Sequence, residues 1–345
     1  MKILVTGNLG YVGPCVVSHL REEHAGWTID GFDSGYFAHC LTGVRELPER
    51  VLDRQYFGDV RDISPELVKG YDGIVQLAAI SNDPMGDQFA EVTREINCNS
   101  AITIGRAAAA AGVQRVVFAS SCSVYGVAEG ARSENDQVAP LTAYAKSKIE
   151  AEEQLSKLDG PTVTCLRFAT ACGMSDRLRL DLVLNDFVAS ALCAKRITIL
   201  SDGSPWRPLI DVKDMARATD WALTRSSDRG GQHLTVNVGR DDANHQVREI
   251  AEAVAAHRPG IEVSVNLEAP VDSRSYRVDF SRFAELAPEH VPKVPLKESI
   301  ENLFVGLERM AFQDQDFRTS QLIRLQVLSA HVRDGRLSPT LRWTR

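Results

Sequence analysis

The chain has 345 residues, 44% of them hydrophobic and 25% charged, with 39 Lys and Arg against 46 Asp and Glu for a formal net charge of −7. That balance belongs to a folded globular protein and excludes disorder, collagen or a coiled coil as a description of the whole. Mild acidity argues against a nucleic-acid or anionic-membrane binder, which needs a basic face.

Residues 2–6, KILVT, form a short apolar strand, and 11–23 has helical spacing after a glycine-punctuated turn. Residues 27–33 read as a second strand ending on an acid. Further strands fall at 55–58, 73–77, 115–119 and 162–168, with helical stretches at 87–111 and 140–158 between them. Strands alternating with helices predict an α/β fold, a doubly wound parallel sheet covered on both faces. Beyond about residue 170 the rhythm breaks. A helix is expected at 181–194, a short strand at 197–200, a helix at 212–224, and at 234–238 a strand returning to the main sheet. Residues 245–312 carry two helical patterns joined by Pro-rich connections. The expected organisation is a Rossmann-type domain over 1–170, rejoined by 211–240. A smaller substrate lobe takes 171–210 and 241–315, and a C-terminal extension covers 316–345 with one helix near 318–332.

Cys15, Cys40, Cys98, Cys122, Cys165, Cys172 and Cys193 are odd in number and never spaced as CxxC. That scatter fits neither a disulfide framework nor a structural zinc site, and no metal is expected. The first residues run straight into a strand without an apolar leader. No segment reaches the roughly 18 apolar residues of a membrane span, so a reduced, cytoplasmic, soluble protein is expected.

Gly7, Gly10 and Gly13 punctuate the turn between the first strand and the first helix. Glycines there let the backbone turn sharply, approach a pyrophosphate, and pack helix against strand. The helix N-terminus adds free N–H groups and partial positive charge. Asp33 follows Gly13 by 20 residues at the end of the second strand. A carboxylate there accepts both hydroxyls of an adenosine ribose and repels a 2′-phosphate, so NAD is expected over NADP. Asp59, before Val60, reads equally as a carboxylate near the adenine ring or as a helix N-cap.

Ser120-Ser121-Cys122-Ser123 leaves a strand end, where doubly wound sheets place their ligand cleft. Tyr144 and Lys148 are spaced i, i+4 and project from one helical face. The ammonium is expected to lower the Tyr pKa, fitting the phenol to move a proton at a substrate hydroxyl while hydride passes to or from nicotinamide. Ser121 orients the same oxygen.

The ordered set TGxxGxxG, Asp33, Asp59, Leu77-Ala78-Ala79, Asn97, Ser121, Tyr144 and Lys148 resembles the extended short-chain dehydrogenase/reductases, most closely their nucleotide-sugar epimerase/dehydratase group. The resemblance implies Ser121, Tyr144 and Lys148 as the catalytic triad, with Lys148 also on the nicotinamide ribose. It implies an NAD site formed by Gly7, Gly10, Tyr11, Val12, Gly13, Asp33, Asp59, Val60, Leu77, Ala78, Ala79, Asn97 and Phe168. The phrase Gly203–Arg207 followed by Ile210–Asp214 resembles the group's GxxxRxxxxVxD. Ser81, Ser123, Thr170, Asn185, Arg207 and Arg274 are then expected about a nucleotide-diphosphate sugar, with Arg277 an alternative to Arg274.

Three departures stand out: Thr170 replaces the usual Asn of RxxN, Gln76 replaces the usual His, and Ser121-Cys122-Ser123 replaces the Thr-Asp-Glu of 4,6-dehydratases. Water elimination needs an acid and a base beyond Tyr, so dehydration is disfavoured. The expected activity is an NAD-dependent nucleotide-sugar epimerase working through a C4-keto intermediate. The alternatives are a keto-sugar reductase, an atypical dehydratase or, least favoured, a non-enzymatic NAD sensor. The resemblance also implies a homodimer.

Overall fold

The computed structural model describes residues 1–266 and 275–344. Lys2–Thr6 (β1) is buried almost throughout. Ile3 and Val5 join the core on one side of the sheet and Leu4 the core on the other, as the two-residue period of a strand requires. A strand apolar on both faces belongs in the middle of a parallel sheet. There β1 lies between Thr28–Asp33 (β2) and Gly73–Gln76 (β4), with Arg54–Phe57 (β3) beyond β2 at the edge. Arg115–Ser121 (β5) pairs with β4, then Thr162–Phe168 and His233–Val238 complete seven parallel strands. The strand order reverses between β1 and β4, and in such sheets the crevice at the carboxyl ends of the reversal holds the ligand.

Gly13–Glu23 (α1) packs against the helix Val212–Thr224 on one face of the sheet. α1 starts at Gly13, two residues after the expected position, because Tyr11 and Val12 belong to the turn. The expected helix over 87–111 is broken into Asp83–Gln88, Ala90–Arg94, a π-helical turn Glu95–Asn99 and Ser100–Ala110. The π turn carries Asn97 into the interior, where its amide exchanges two bonds with Ile80 and donates to Ser147 Oγ. The expected helix 140–158 is Ala143–Leu155: Thr142 caps it by accepting the Ala145 N–H, leaving Pro140 outside.

The second half adds small sheets around Trp206–Asp211, which pairs with Thr170–Cys172 and Asn244–Gln246. Arg196–Ile199 pairs with Glu262–Val265, and Ser275–Val278 with Val127–Arg132. Most of these strands escape sequence reading: Val127–Arg132 is exposed and polar, with Gly130 at φ 80°. The tail helix is Arg324–Arg333, later than expected. The cysteines are all free thiols. Among the described residues no helix is long and apolar enough to cross a membrane.

Candidate active site

A cleft of about 790 Å³ opens at the carboxyl ends of the strands, lined by both the glycine turn and the Ser–Tyr–Lys group. The turn is glycine-built for steric reasons. Gly7 sits at φ +79°, and a Cβ on it would lie 2.4 Å from the Ala78 nitrogen, while one on Gly13 would lie 2.2 Å from the Asn8 carbonyl oxygen. Only bare backbone lets the turn meet β4's end and helix α1, and that same bareness leaves a cradle for a diphosphate. Gly13→Ala is therefore expected to abolish measurable dinucleotide retention in the purified protein, read by absorbance of the denatured supernatant. Retention equal to wild type contradicts this steric account.

Asp33 lines the cleft and is fixed from both sides, Oδ2 accepting from Leu9 N–H at 3.0 Å and Oδ1 from Gly35 N–H at 2.7 Å. Burial raises its pKa above the ordinary carboxylate value, and those two N–H groups oppose the rise. Asp59 and Val60 line the cleft as well. Asp59 is also the cap of the short turn Val60–Asp62, accepting Arg61 N–H at 2.9 Å and holding the Arg61 guanidinium. The cap reading of Asp59 is thus seen directly, in a side chain that also lines the cleft. Gly10, Tyr11, Val12, Leu77, Ala78 and Ala79 continue the same wall. A bare backbone cradle leading to a fixed ribose-side carboxylate fits a dinucleotide of the NAD type.

Tyr11 faces the cleft and ties the turn to the second half, donating to the Gly173 carbonyl at 2.6 Å and accepting from Asn185 Nδ2 at 3.1 Å. Asn185 is buried behind that wall, its amide spent on Tyr11, the Arg179 carbonyl and the Gly173 N–H. It does not line the cleft where the substrate is expected. Asn97 does not line the cleft either, and its amide braces the backbone after β4. Arg274 lies outside the described residues. Arg277 stacks on the Trp206 ring, 5.1 Å from its centroid, and is not part of the cleft wall.

Ser121, Tyr144 and Lys148 share the cleft with Ser81, Ser123, Phe168, Thr170 and Arg207. Lys148 Nζ donates to the Ala119 carbonyl at 2.7 Å and lies 5.6 Å from the Tyr144 ring centroid. Burial lowers the Lys148 pKa to about 8, with Glu152 opposing. Burial pushes Tyr144 up to about 12 despite the Ser121 hydroxyl. The lowering of Tyr144 expected from Lys148 is not the direction found: burial raises the phenol, Ser121 and Arg179 oppose the rise, and the ammonium is turned toward β5.

Behind the triad lies a dry ion pair. Arg167 Nη2 meets Glu152 Oε2 at 2.7 Å, and both residues are buried. Ser120 donates to Glu152, and Arg167 Nη1 donates to Tyr125 Oη at 3.0 Å. Cys122 faces this network, not the cleft: its thiol donates to the Arg167 carbonyl at 3.0 Å, and burial pushes its pKa far up.

Sequence reading missed Arg179 and Asp181, which line the cleft. Asp181 accepts Arg179 Nε at 2.9 Å and Asn82 Nδ2 at 2.6 Å, while Arg179 Nη1 reaches Ser81 Oγ at 2.7 Å. The alternation Arg177-Leu178-Arg179-Leu180-Asp181, with both leucines buried, was the available signal of one charged face. Tyr276 and Arg324 of the wall gave none.

The NAD dependent epimerase/dehydratase family matches residues 3–239. A Bacillus subtilis protein described as an uncharacterized UDP-glucose epimerase is 30% identical over 259 residues, 69% of this chain and 77% of its own. The UDP-glucose 4-epimerase of Corynebacterium glutamicum is 28% identical over 288 residues, 76% of this chain and 83% of its own. Among solved structures, MoeE5 in complex with UDP-glucuronic acid and NAD is 27% identical with a TM-score of 0.76, covering 90% of this chain and 99% of that one. With a doubly wound sheet, a dinucleotide cradle and a Ser–Tyr–Lys cleft already in place, the match settles membership: this chain belongs to the NAD-dependent epimerase/dehydratase family of extended short-chain dehydrogenase/reductases.

Proposed function

We propose that the protein is a nucleotide-sugar 4-epimerase that oxidises C4 of its substrate transiently and keeps its NAD through the cycle. The observation that carries this reading is the end of β5. Ser121 and Ser123 face the cleft beside Tyr144, whereas Cys122 is turned inward to Arg167. The cleft carboxylates Asp83 and Asp181 are engaged, Asp83 by Thr142 Oγ1 at 2.6 Å and Asp181 by Arg179 and Asn82. Among the described residues no acid–base couple of the kind that eliminates water stands at the strand end.

NAD bound in the cleft would supply the hydride acceptor and donor for C4. The cradle of Gly7, Gly10 and Gly13 would hold its diphosphate, Asp33 its adenosine ribose, and Lys148 its nicotinamide ribose. Tyr144 takes the C4 hydroxyl proton as the sugar becomes a 4-ketone, and returns it after the ketone turns over in the pocket. Since burial holds the phenol near 12, its ionised form depends on positive charge nearby, and the Arg179 guanidinium acts in that direction. Ser121 Oγ accepts the Ser123 N–H, and its hydroxyl is in hydrogen-bond reach of the Tyr144 phenol, which sets both oxygens at the place of the reacting hydroxyl. Ser123 Oγ is buried with no partner among the described residues and is placed for a sugar hydroxyl. Arg207 serves the substrate diphosphate.

The test is mass spectrometry of small molecules released on denaturation, with assays on UDP-glucose, UDP-galactose and UDP-glucuronic acid. NAD near one per chain with interconversion of C4 epimers is expected. An empty protein, or one that takes up only NADPH, promotes the keto-sugar reductase; loss of water or CO2 from the sugar overturns the epimerase. A cytoplasmic homodimer belongs to this reading, and light scattering of the purified protein checks its size.

A further inference from the structure

The family match ends at residue 239, yet the cleft wall includes Arg324 from the tail helix Arg324–Arg333. Its guanidinium is 1% exposed. Nη2 donates to the Arg177 carbonyl at 2.7 Å and Nη1 to the Gln321 carbonyl at 3.1 Å, and the group lies 4.9 Å over the Phe37 ring. Among the described residues no carboxylate pairs with it. Arg177 and Arg179, close enough to act on it electrostatically, have Glu49 and Asp181. Asp181 also acts on Arg324, and Asp33 and Asp176 feel Arg177, so what the tail adds is a third buried guanidinium with no ion pair of its own among the described residues.

Burying an unpaired cation is costly, so a group held like this belongs beside an anion. Burial has already brought the Arg324 pKa down to about 10, with Cys40 and Asp181 opposing and Arg179 and Arg177 adding to the fall. The neighbours say where the anion lies. Phe37 belongs to the wall that begins at Asp33, and the tail pins that wall further on. Trp343 Nε1 donates to the Ser34 carbonyl at 2.7 Å, Tyr36 Oη donates to the Leu341 carbonyl, and Arg61 Nη1 donates to the Thr340 carbonyl at 2.8 Å.

We propose that the C-terminal segment is part of the dinucleotide site, with Arg324 as the cation that faces a nucleotide diphosphate, that of NAD. A guanidinium is suited to this, since its planar donors match diphosphate oxygens and it stays charged under burial. The proposal rests on the family's NAD dependence and not on which sugar reaction follows. The second source of a diphosphate is the nucleotide sugar, and the experiment separates the two.

Purified wild type, Arg324→Lys and Arg324→Met are stripped of ligand and titrated with NAD, ADP, adenosine and UDP-glucose, and their unliganded melting temperatures are recorded. For Arg324→Met we expect affinity for NAD and ADP to fall about 10- to 100-fold, the scale of a lost hydrogen bond to a charged group. Adenosine and UDP-glucose should move less than about twofold, and the unliganded melting temperature should not fall, because an uncompensated buried charge has gone. Arg324→Lys keeps the charge and should lose less than Arg324→Met; it carries the test if the Met variant does not fold. Unchanged NAD and ADP affinity in a folded variant, or equal losses for ADP and adenosine, overturns the proposal. A loss confined to UDP-glucose overturns the assignment to the cofactor. Each result holds whether or not the protein proves to be an epimerase.

Discussion

Tyr144→Phe is expected to lower turnover of a nucleotide sugar by about 10²- to 10⁴-fold, the usual contribution of a positioned acid–base group, while the protein keeps its NAD and its melting temperature. The argument rests on where the hydroxyl sits. The phenol lines the cleft, and the one side-chain hydrogen bond influencing it comes from Ser121, itself in the cleft. Removing the oxygen leaves the ring in place and strands no buried donor in the core. Helix Ala143–Leu155 stays anchored through Ser147, whose Oγ accepts from Asn97 Nδ2 at 3.1 Å. Initial rates with UDP-galactose, alongside NAD released per chain, check both halves. A Phe variant retaining more than a tenth of wild-type turnover removes Tyr144 from the chemistry.

The largest stability effect is expected at Glu152→Ala, a loss of about 3–5 kcal/mol in urea unfolding, because one partner of a buried ion pair goes and the other stays charged. Arg167 makes three contacts to Glu152, at 3.1, 3.1 and 2.7 Å, and both residues are buried. Combining Glu152→Ala with Arg167→Met should recover much of the loss, since no buried charge is left alone. The same variant carries a pH signature. Burial sets the Lys148 pKa near 8 and Glu152 holds it up, so deleting the carboxylate lowers it further. The ammonium is then lost at lower pH, and the alkaline fall of kcat moves down. A fall that stays in place shows that Lys148 does not feel Glu152.

Much of this was legible in the residues because it obeys local rules. KILVT could only be a central strand, and Gly7 and Gly13 of the first turn occupy positions where a Cβ meets backbone within 2.4 Å. Tyr144 and Lys148 needed only a helix to share a face. What escaped depends on tertiary position. Nothing in the neighbourhood of Asn97 or Asn185 shows that their amides are spent on the protein's own backbone. The i, i+4 spacing of Tyr144 and Lys148 does not reveal that burial raises the phenol. Phe89 breaks the 87–111 helix at φ −123° and ψ 47°, though its residues favour helix on either side. Arg324, one arginine in an Arg-rich tail, looks like solvated charge until the fold buries it.

The bond from Tyr11 to Gly173 spans 162 residues of chain, that to Asn185 spans 174, and that from Tyr36 to Leu341 spans 305. Loops of this length are closed late, after nearer contacts have formed, and a topology rich in them folds slowly. The first strand and turn, made earliest as the chain is synthesised, must wait for the far half before the cleft exists. A fragment ending near residue 170 lacks every one of these partners. The cleft is in that sense a property of the finished fold, and an intact one reports that folding reached its end.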